Sequence, residues 1–218
     1  MRGMRNSALA LMAAAAPAWA EEPVVIAALG DSLTQGYGLM ADEGFVPQME
    51  AWLQDRGAEV TLINAGVSGD TTAGGLSRVG WTLTPEVDAM IVALGGNDLL
   101  RGIAPEVARA NLDGILQAAD EAGVAVLLVG MQAPGNYGPD YKADFDAIYP
   151  DLAAQYDTLL VASFFEGLLA EGDMEGARAA YMQPDGIHPN PDGVARIVEA
   201  MGPAVLELVD RAEAPARQ

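Results

Sequence analysis

The sequence predicts an α/β fold in which a parallel sheet is covered by helices on both faces. Three observations carry this expectation. Short apolar runs alternate with helix-length amphipathic segments along most of the chain. The runs are continuously apolar and rich in β-branched residues, as strands buried on both faces require. Glycine-rich clusters follow the first three runs, where strands turn toward helices. With 218 residues, 51% of them hydrophobic, the chain can bury one substantial core and needs no second domain.

The first segment reads as an export leader. Arg2 and Arg5 form a basic start, Ala8 to Ala16 an apolar stretch, and Ala18-Trp19-Ala20 a small-x-small site. Cleavage is expected after Ala20, leaving a periplasmic or secreted protein. The apolar stretch is too short to span a bilayer, which takes about 20 residues, so no stable membrane insertion is expected. Residues 21–212 then form the folded domain and 213–218 a polar tail.

Val24–Leu29 is the first strand. Glu43–Arg56 follows with Phe45, Met49, Trp52 and Leu53 at helical spacing, and Gly57 stops it. Val60–Asn64 reads as the second strand, Ala73–Leu83 as a short helix and Ala89–Leu94 as the third strand. Pro105 suits the first turn of a helix running to Ala122, with Gly123 as its stop. Val124–Met131 is the fourth strand, and Gln132–Asp140 a long connection rich in Gly and Pro. Tyr141–Tyr156 is expected to be helical, with Pro150 kinking or dividing it. Leu159–Ala162 is the fifth strand, Phe164–Ala170 a short helix, and Pro191–Arg211 the last one. In such folds ligands bind at the carboxyl ends of the strands.

Composition removes several function classes. Eleven basic against 31 acidic residues give a formal charge of −20. Loss of Arg2 and Arg5 with the leader would take it to −22. Such a surface repels phosphate backbones and anionic membranes, which argues against nucleic-acid binding. Cysteine is absent, which removes disulfides, thiol nucleophiles and cysteine metal sites. The single lysine, Lys142, leaves little for a phosphate loop or a Schiff base, and the single histidine, His188, excludes multi-histidine metal centres. An enzyme needing an imidazole base at neutral pH has only His188.

Four clusters hold polar residues where ligands should bind. Gly30-Asp31-Ser32-Leu33-Thr34 follows the first strand and leaves Ser32 at its carboxyl end. A serine there can equally cap a helix. Asn64-Ala65-Gly66-Val67-Ser68-Gly69-Asp70-Thr71-Thr72 follows the second, and Gly69 could present a bare N–H; Asp70 or Thr71 could instead simply cap the next helix. Gly95-Gly96-Asn97-Asp98 follows the third, where Asn97 offers a neutral amide suited to a developing oxyanion, or a plain cap. Pro184-Asp185-Gly186-Ile187-His188-Pro189 precedes the last helix. There Asp185 can reach Nδ1 of His188 and leave Nε2 facing a nucleophile, although a surface histidine is the bland alternative. The conjunction of all four is stronger than any one.

These clusters resemble the SGNH (GDSL) hydrolases, whose four signature residues fall on Ser32, Gly69, Asn97 and His188. The sequence is similar to the bacterial multifunctional thioesterase/lysophospholipase/arylesterase subgroup. Leu100-Arg101-Gly102, Asn136-Tyr137-Gly138 and Ala147-Ile148-Tyr149-Pro150 extend the likeness, as does Asn190 after the histidine motif. The resemblance implies a three-layer α/β/α fold of the flavodoxin-like SGNH type with a central five-stranded parallel sheet. It implies a Ser32–His188–Asp185 triad, with Ser32 N–H, Gly69 N–H and the Asn97 amide as the oxyanion hole. The implied activity is hydrolysis of small-molecule aryl, acyl, thio- or lysophospholipid esters, without metal or organic cofactor and with a monomer as the expected state. Ala133-Pro134-Gly135 departs from the Leu-Pro-Ala common among relatives, in a loop that shapes their acyl pocket. Leu39, Met40, Met131, Tyr137 and Ile187 flank the motifs and are expected beside the acyl group; core packing is the alternative for each. Carbohydrate O-deacetylation would use the same triad with another pocket, and a non-catalytic binding module would be expected to lose Ser32 or His188 first.

Overall fold

The computed structural model describes residues 22–169 and 174–214. The expected leader, and all of the polar tail after Ala214, lie outside the described residues. Five strands, β1 (Val24–Gly30), β2 (Val60–Gly66), β3 (Ala89–Ala93), β4 (Ala125–Val129) and β5 (Leu159–Val161), form one parallel sheet. Their order is β2-β1-β3-β4-β5. The central strands are apolar on both faces because both are covered: Ile26 to Leu29 and Ala89 to Ala93 are buried throughout. Edge strand β2 instead alternates, with Val60 and Leu62 buried while Thr61 and Ile63 are exposed.

The strand order shows the chain reversing direction across the sheet after β2, and with crossovers of one hand such a reversal sends helices to both faces. On one side α2 (Phe45–Gln54) packs against the long C-terminal α10 (Pro191–Glu213). On the other, α3 (Thr72–Thr82) meets α5 (Pro105–Ala122), which in turn meets α7 (Ile148–Tyr156). The expected proline start and glycine stop of α5 are present, with Gly123 left-handed at φ 70°.

The segment expected to be helical and kinked or divided by Pro150 is two helices, α6 (Pro139–Asp146) and α7, joined at Ala147. The division comes before Pro150, not at it. A proline ring clashes with the carbonyl four residues earlier, so Pro150 is accommodated in the first turn of a new helix. Short helices α1 (Ser32–Gln35) and α4 (Gly96–Leu100) directly follow β1 and β3, and α8 (Glu166–Leu169) and α9 (Met174–Tyr181) precede α10.

Candidate active site

The register places the polar clusters side by side. Gly30 at the end of β1 is level with Gly66 of β2 and Ala93 of β3. Chain direction across the sheet switches between β1 and β3, the crevice where open α/β sheets hold ligands. Immediately beyond Gly30, Asp31 is the N-cap of α1, its Oδ1 accepting the Leu33 N–H at 3.0 Å. The capping work that a serine could have done therefore falls to its neighbour. The Ser32 hydroxyl lies instead 2.8 Å from Nε2 of His188.

The other ring nitrogen of His188, Nδ1, lies 2.7 Å from Asp185 Oδ2. Asp185 Oδ1 accepts the N–H groups of Ile187 at 2.9 Å and of His188 at 3.0 Å. The imidazole first, and then these two amides, hold the Asp185 carboxyl down at about 2. At neutral pH it is a carboxylate that can only accept, so Nδ1 carries the imidazole proton and the lone pair of Nε2 faces the Ser32 hydroxyl. The loop is closed by the Gln183 N–H, which donates to the His188 carbonyl at 2.7 Å, and by a bridge between Met182 and Pro189.

Asn97 lies in the first turn of α4, with one amide hydrogen directed at Asp31 Oδ2, 3.1 Å away. Asp31 is only 2% exposed. Burial pushes its carboxyl up to about 6, against the pull of the Leu33 N–H and the Asn97 amide. The turn before Asn97 needs glycine at 95. Its φ is 117°, and a β-carbon there would collide with the Tyr149 hydroxyl. That buried hydroxyl donates to the Leu94 carbonyl at 2.9 Å, and burial holds its pKa well above the usual phenol range, so it stays a donor. Buried Asp98 accepts the Thr72 N–H at 2.9 Å and its hydroxyl at 2.7 Å, linking the Asn97 turn to the start of α3.

Gly69, at φ 85°, occupies the left-handed region its loop needs. Its carbonyl accepts Arg101 Nη2 at 2.8 Å, and the Ser68 hydroxyl next to it donates to the Gln35 side chain of α1 at 3.0 Å. Thr71, not Asp70, caps α3. Asp70 pairs with Arg78 Nε at 2.7 Å, while the two other Arg78 nitrogens donate to the carbonyls of Ala65 (2.7 Å) and Gly30 (2.8 Å).

Of the five apolar residues expected near an acyl group, Met131 is buried beneath Gly96 and Leu39 packs half-buried on the core. Met40, Tyr137 and Ile187 present apolar surface to solvent. Four site residues have roles that sequence reasoning did not assign: Asp31 as the partner of Asn97, Arg78 beneath two loops, Tyr149 behind Gly95, and Tyr37. The Tyr37 ring lies 4.6 Å from the His188 ring, centroid to centroid. The signals were present as a polar residue beside the serine and a tyrosine in Ala147-Ile148-Tyr149-Pro150, but their partners are distant in sequence.

Residues 28–196 match the GDSL-like Lipase/Acylhydrolase family. The chain is 41% identical over 182 residues to esterase TesA of Pseudomonas aeruginosa, covering 83% of this chain and 87% of that protein. To thioesterase 1/protease 1/lysophospholipase L1 of Escherichia coli K12 it is 36% identical over 184 residues, covering 84% and 83%. The crystal structure of AlinE4, an SGNH-hydrolase family esterase, is similar at a TM-score of 0.70 and 44% identity, covering 87% of this chain and 98% of that one.

Proposed function

Since this chain belongs to the GDSL-like lipase/acylhydrolase family, we propose that it is a serine carboxylic ester hydrolase with Ser32 as nucleophile, His188 as base and Asp185 as the group that orients it. One observation carries the assignment of roles: the continuous relay of Ser32 Oγ, His188 and Asp185, with links of 2.8 and 2.7 Å. His188 Nε2 takes the Ser32 proton as Oγ bonds to the ester carbonyl carbon, and the carbonyl electron pair moves onto oxygen. The oxyanion is held by the Ser32 and Gly69 N–H groups and by the Asn97 amide hydrogen not given to Asp31. Collapse expels the alcohol or thiol, which takes the proton from His188. Water then repeats the sequence on the acyl-enzyme.

The substrates are small-molecule esters. The exposed apolar surface of Met40, Tyr137 and Ile187 supports an aryl or acyl group as the part recognised. The similarity to an esterase and to a thioesterase/lysophospholipase supports oxygen and thio esters alike. Action outside the cytoplasm rests on the export leader read from residues 1–20, and cell fractionation tests it. Chemistry is tested by hydrolysis of p-nitrophenyl esters from acetyl to palmitoyl, with Ser32→Ala as the blank. Turnover lost in the variant supports the assignment, and the preferred chain length sizes the acyl site. Turnover unchanged in Ser32→Ala sinks it.

A further inference from the structure

Tyr37 stands in three relations to the triad, each through a different part of the residue. Its N–H donates to the Ser32 carbonyl at 3.1 Å. Its carbonyl accepts Nε2 of Gln183 at 2.8 Å, and the Gln183 N–H donates to the His188 carbonyl at 2.7 Å. Its ring lies against the imidazole, tilted by 35° at a centroid separation of 4.6 Å. The backbone of Tyr37 thus joins the nucleophile helix to the histidine loop, two segments 156 residues apart. With both ring nitrogens of His188 held by Asp185 and Ser32, the remaining freedom is rocking about the axis between them, and the Tyr37 ring supports one face against it.

We propose that Tyr37 is a positioning residue for the general base, an aromatic shelf that fixes the plane of the His188 imidazole toward Ser32. The inference rests on the serine hydrolase reading. The ring contributes in two ways. Its contact area restrains the imidazole where a small misplacement is costly to the rate. Its negative face also favours the imidazolium formed when His188 takes the serine proton. The hydroxyl is not needed for either, and it makes no hydrogen bond among the described residues. Half of the Tyr37 surface faces solvent, so its replacement does not open a core cavity.

The test compares Tyr37→Phe and Tyr37→Leu with the wild type on p-nitrophenyl acetate, with Ser32→Ala as the blank. Tyr37→Leu should lower kcat about three- to tenfold with KM within about twofold, and Tyr37→Phe should restore kcat. A binding wall would do the reverse, raising KM and sparing kcat. The single histidine supplies a second readout, because its imidazole C–H resonances are unambiguous in NMR spectra. Ring current from Tyr37 should displace them upfield in the wild type and in Tyr37→Phe, and the displacement should vanish in Tyr37→Leu. Wild-type kcat in Tyr37→Leu overturns the proposal, and so do imidazole resonances that do not move. Absence of Ser32-dependent turnover in the wild type would instead overturn the hydrolase reading, while the NMR comparison would still decide whether the shelf exists.

Discussion

Asp31 joins stability and activity at a single carboxyl. It is buried next to the nucleophile, with its pKa raised from 3.8 to about 6. A carboxyl with a raised folded-state pKa binds its proton more readily folded than unfolded, so its ionisation disfavours the fold above about pH 6. That penalty is relieved as pH falls from about 6 toward 3.8. A shift of this size corresponds to about 3 kcal/mol. Asp31→Asn removes the titration. The stability of the variant relative to wild type should therefore improve by about 2–3 kcal/mol between pH 4 and pH 7.5, read from urea unfolding at each pH. Parallel behaviour of the two proteins across this range would refute the buried, titrating Asp31. The same substitution leaves one acceptor oxygen where the Leu33 N–H and the Asn97 amide each had their own, and sets an NH2 against one of them, so kcat should fall even where stability rises. Asn97→Ala tests the amide directly. Loss of one oxyanion donor should cost about 10²–10³ in kcat, while leaving buried Asp31 Oδ2 without its donor should cost about 1–3 kcal/mol of stability, and near-full activity would show that the oxyanion lies elsewhere.

Between elements, Arg78 is the piece that holds the β1 and β2 ends level. From α3 its guanidinium reaches the last residue of β1, the penultimate residue of β2, and Asp70 beside Gly69. A planar fork suits three divergent acceptors, and a lysine ammonium at the end of a flexible stem does not. Arg78→Met takes the guanidinium from the Asp70 carboxylate and one donor from each of the Ala65 and Gly30 carbonyls, the latter keeping the Val67 N–H at 3.0 Å, and should cost about 3 kcal/mol of stability together with a loss of kcat. Arg78→Lys should recover only part of either, and full recovery in urea unfolding and ester hydrolysis would contradict the fork geometry. Elements of this fold differ in how far their own residues reveal them. β1 and β3 are legible because a strand buried on both faces must be apolar throughout, and α5 because proline and glycine mark its ends. α1 and α4, with four and five residues, are too short for an apolar period to show. The break at Ala147 escaped because apolar residues recur across it at helical spacing. In the site, Ser32, Gly69, Asn97, Asp185 and His188 stood out through local glycine-rich turns. The Arg78 fork, the Asp31–Asn97 link and the Tyr37 shelf did not, since each depends on segments that only the folded chain brings together.

The molecule as a whole carries a formal charge of −20 from 31 acidic and 11 basic residues. Much of its small supply of cations is already committed. Arg56, Arg78, Arg109, Lys142 and Arg211 are paired with Glu199, Asp70, Asp151, Asp146 and Glu207. The acidic surplus is therefore left to repel itself, and the compact fold holds those charges closer together than the unfolded chain does. Screening should relieve part of this repulsion, since the Debye length contracts from about 30 Å at 0.01 M salt to about 10 Å at 0.1 M. The thermal midpoint should accordingly rise as NaCl is added from 0.01 to 0.5 M, where each kcal/mol gained appears as about 2–4 °C. The same field bears on substrate. A negatively charged ester approaches against it and a neutral ester of equal size does not. Salt should thus raise kcat/KM for the charged ester while leaving the neutral one nearly unchanged. Equal responses of the two esters would mean that the acidic field does not extend over the mouth of the site. A midpoint that stays flat or falls with NaCl would mean that the surplus is already neutralised locally.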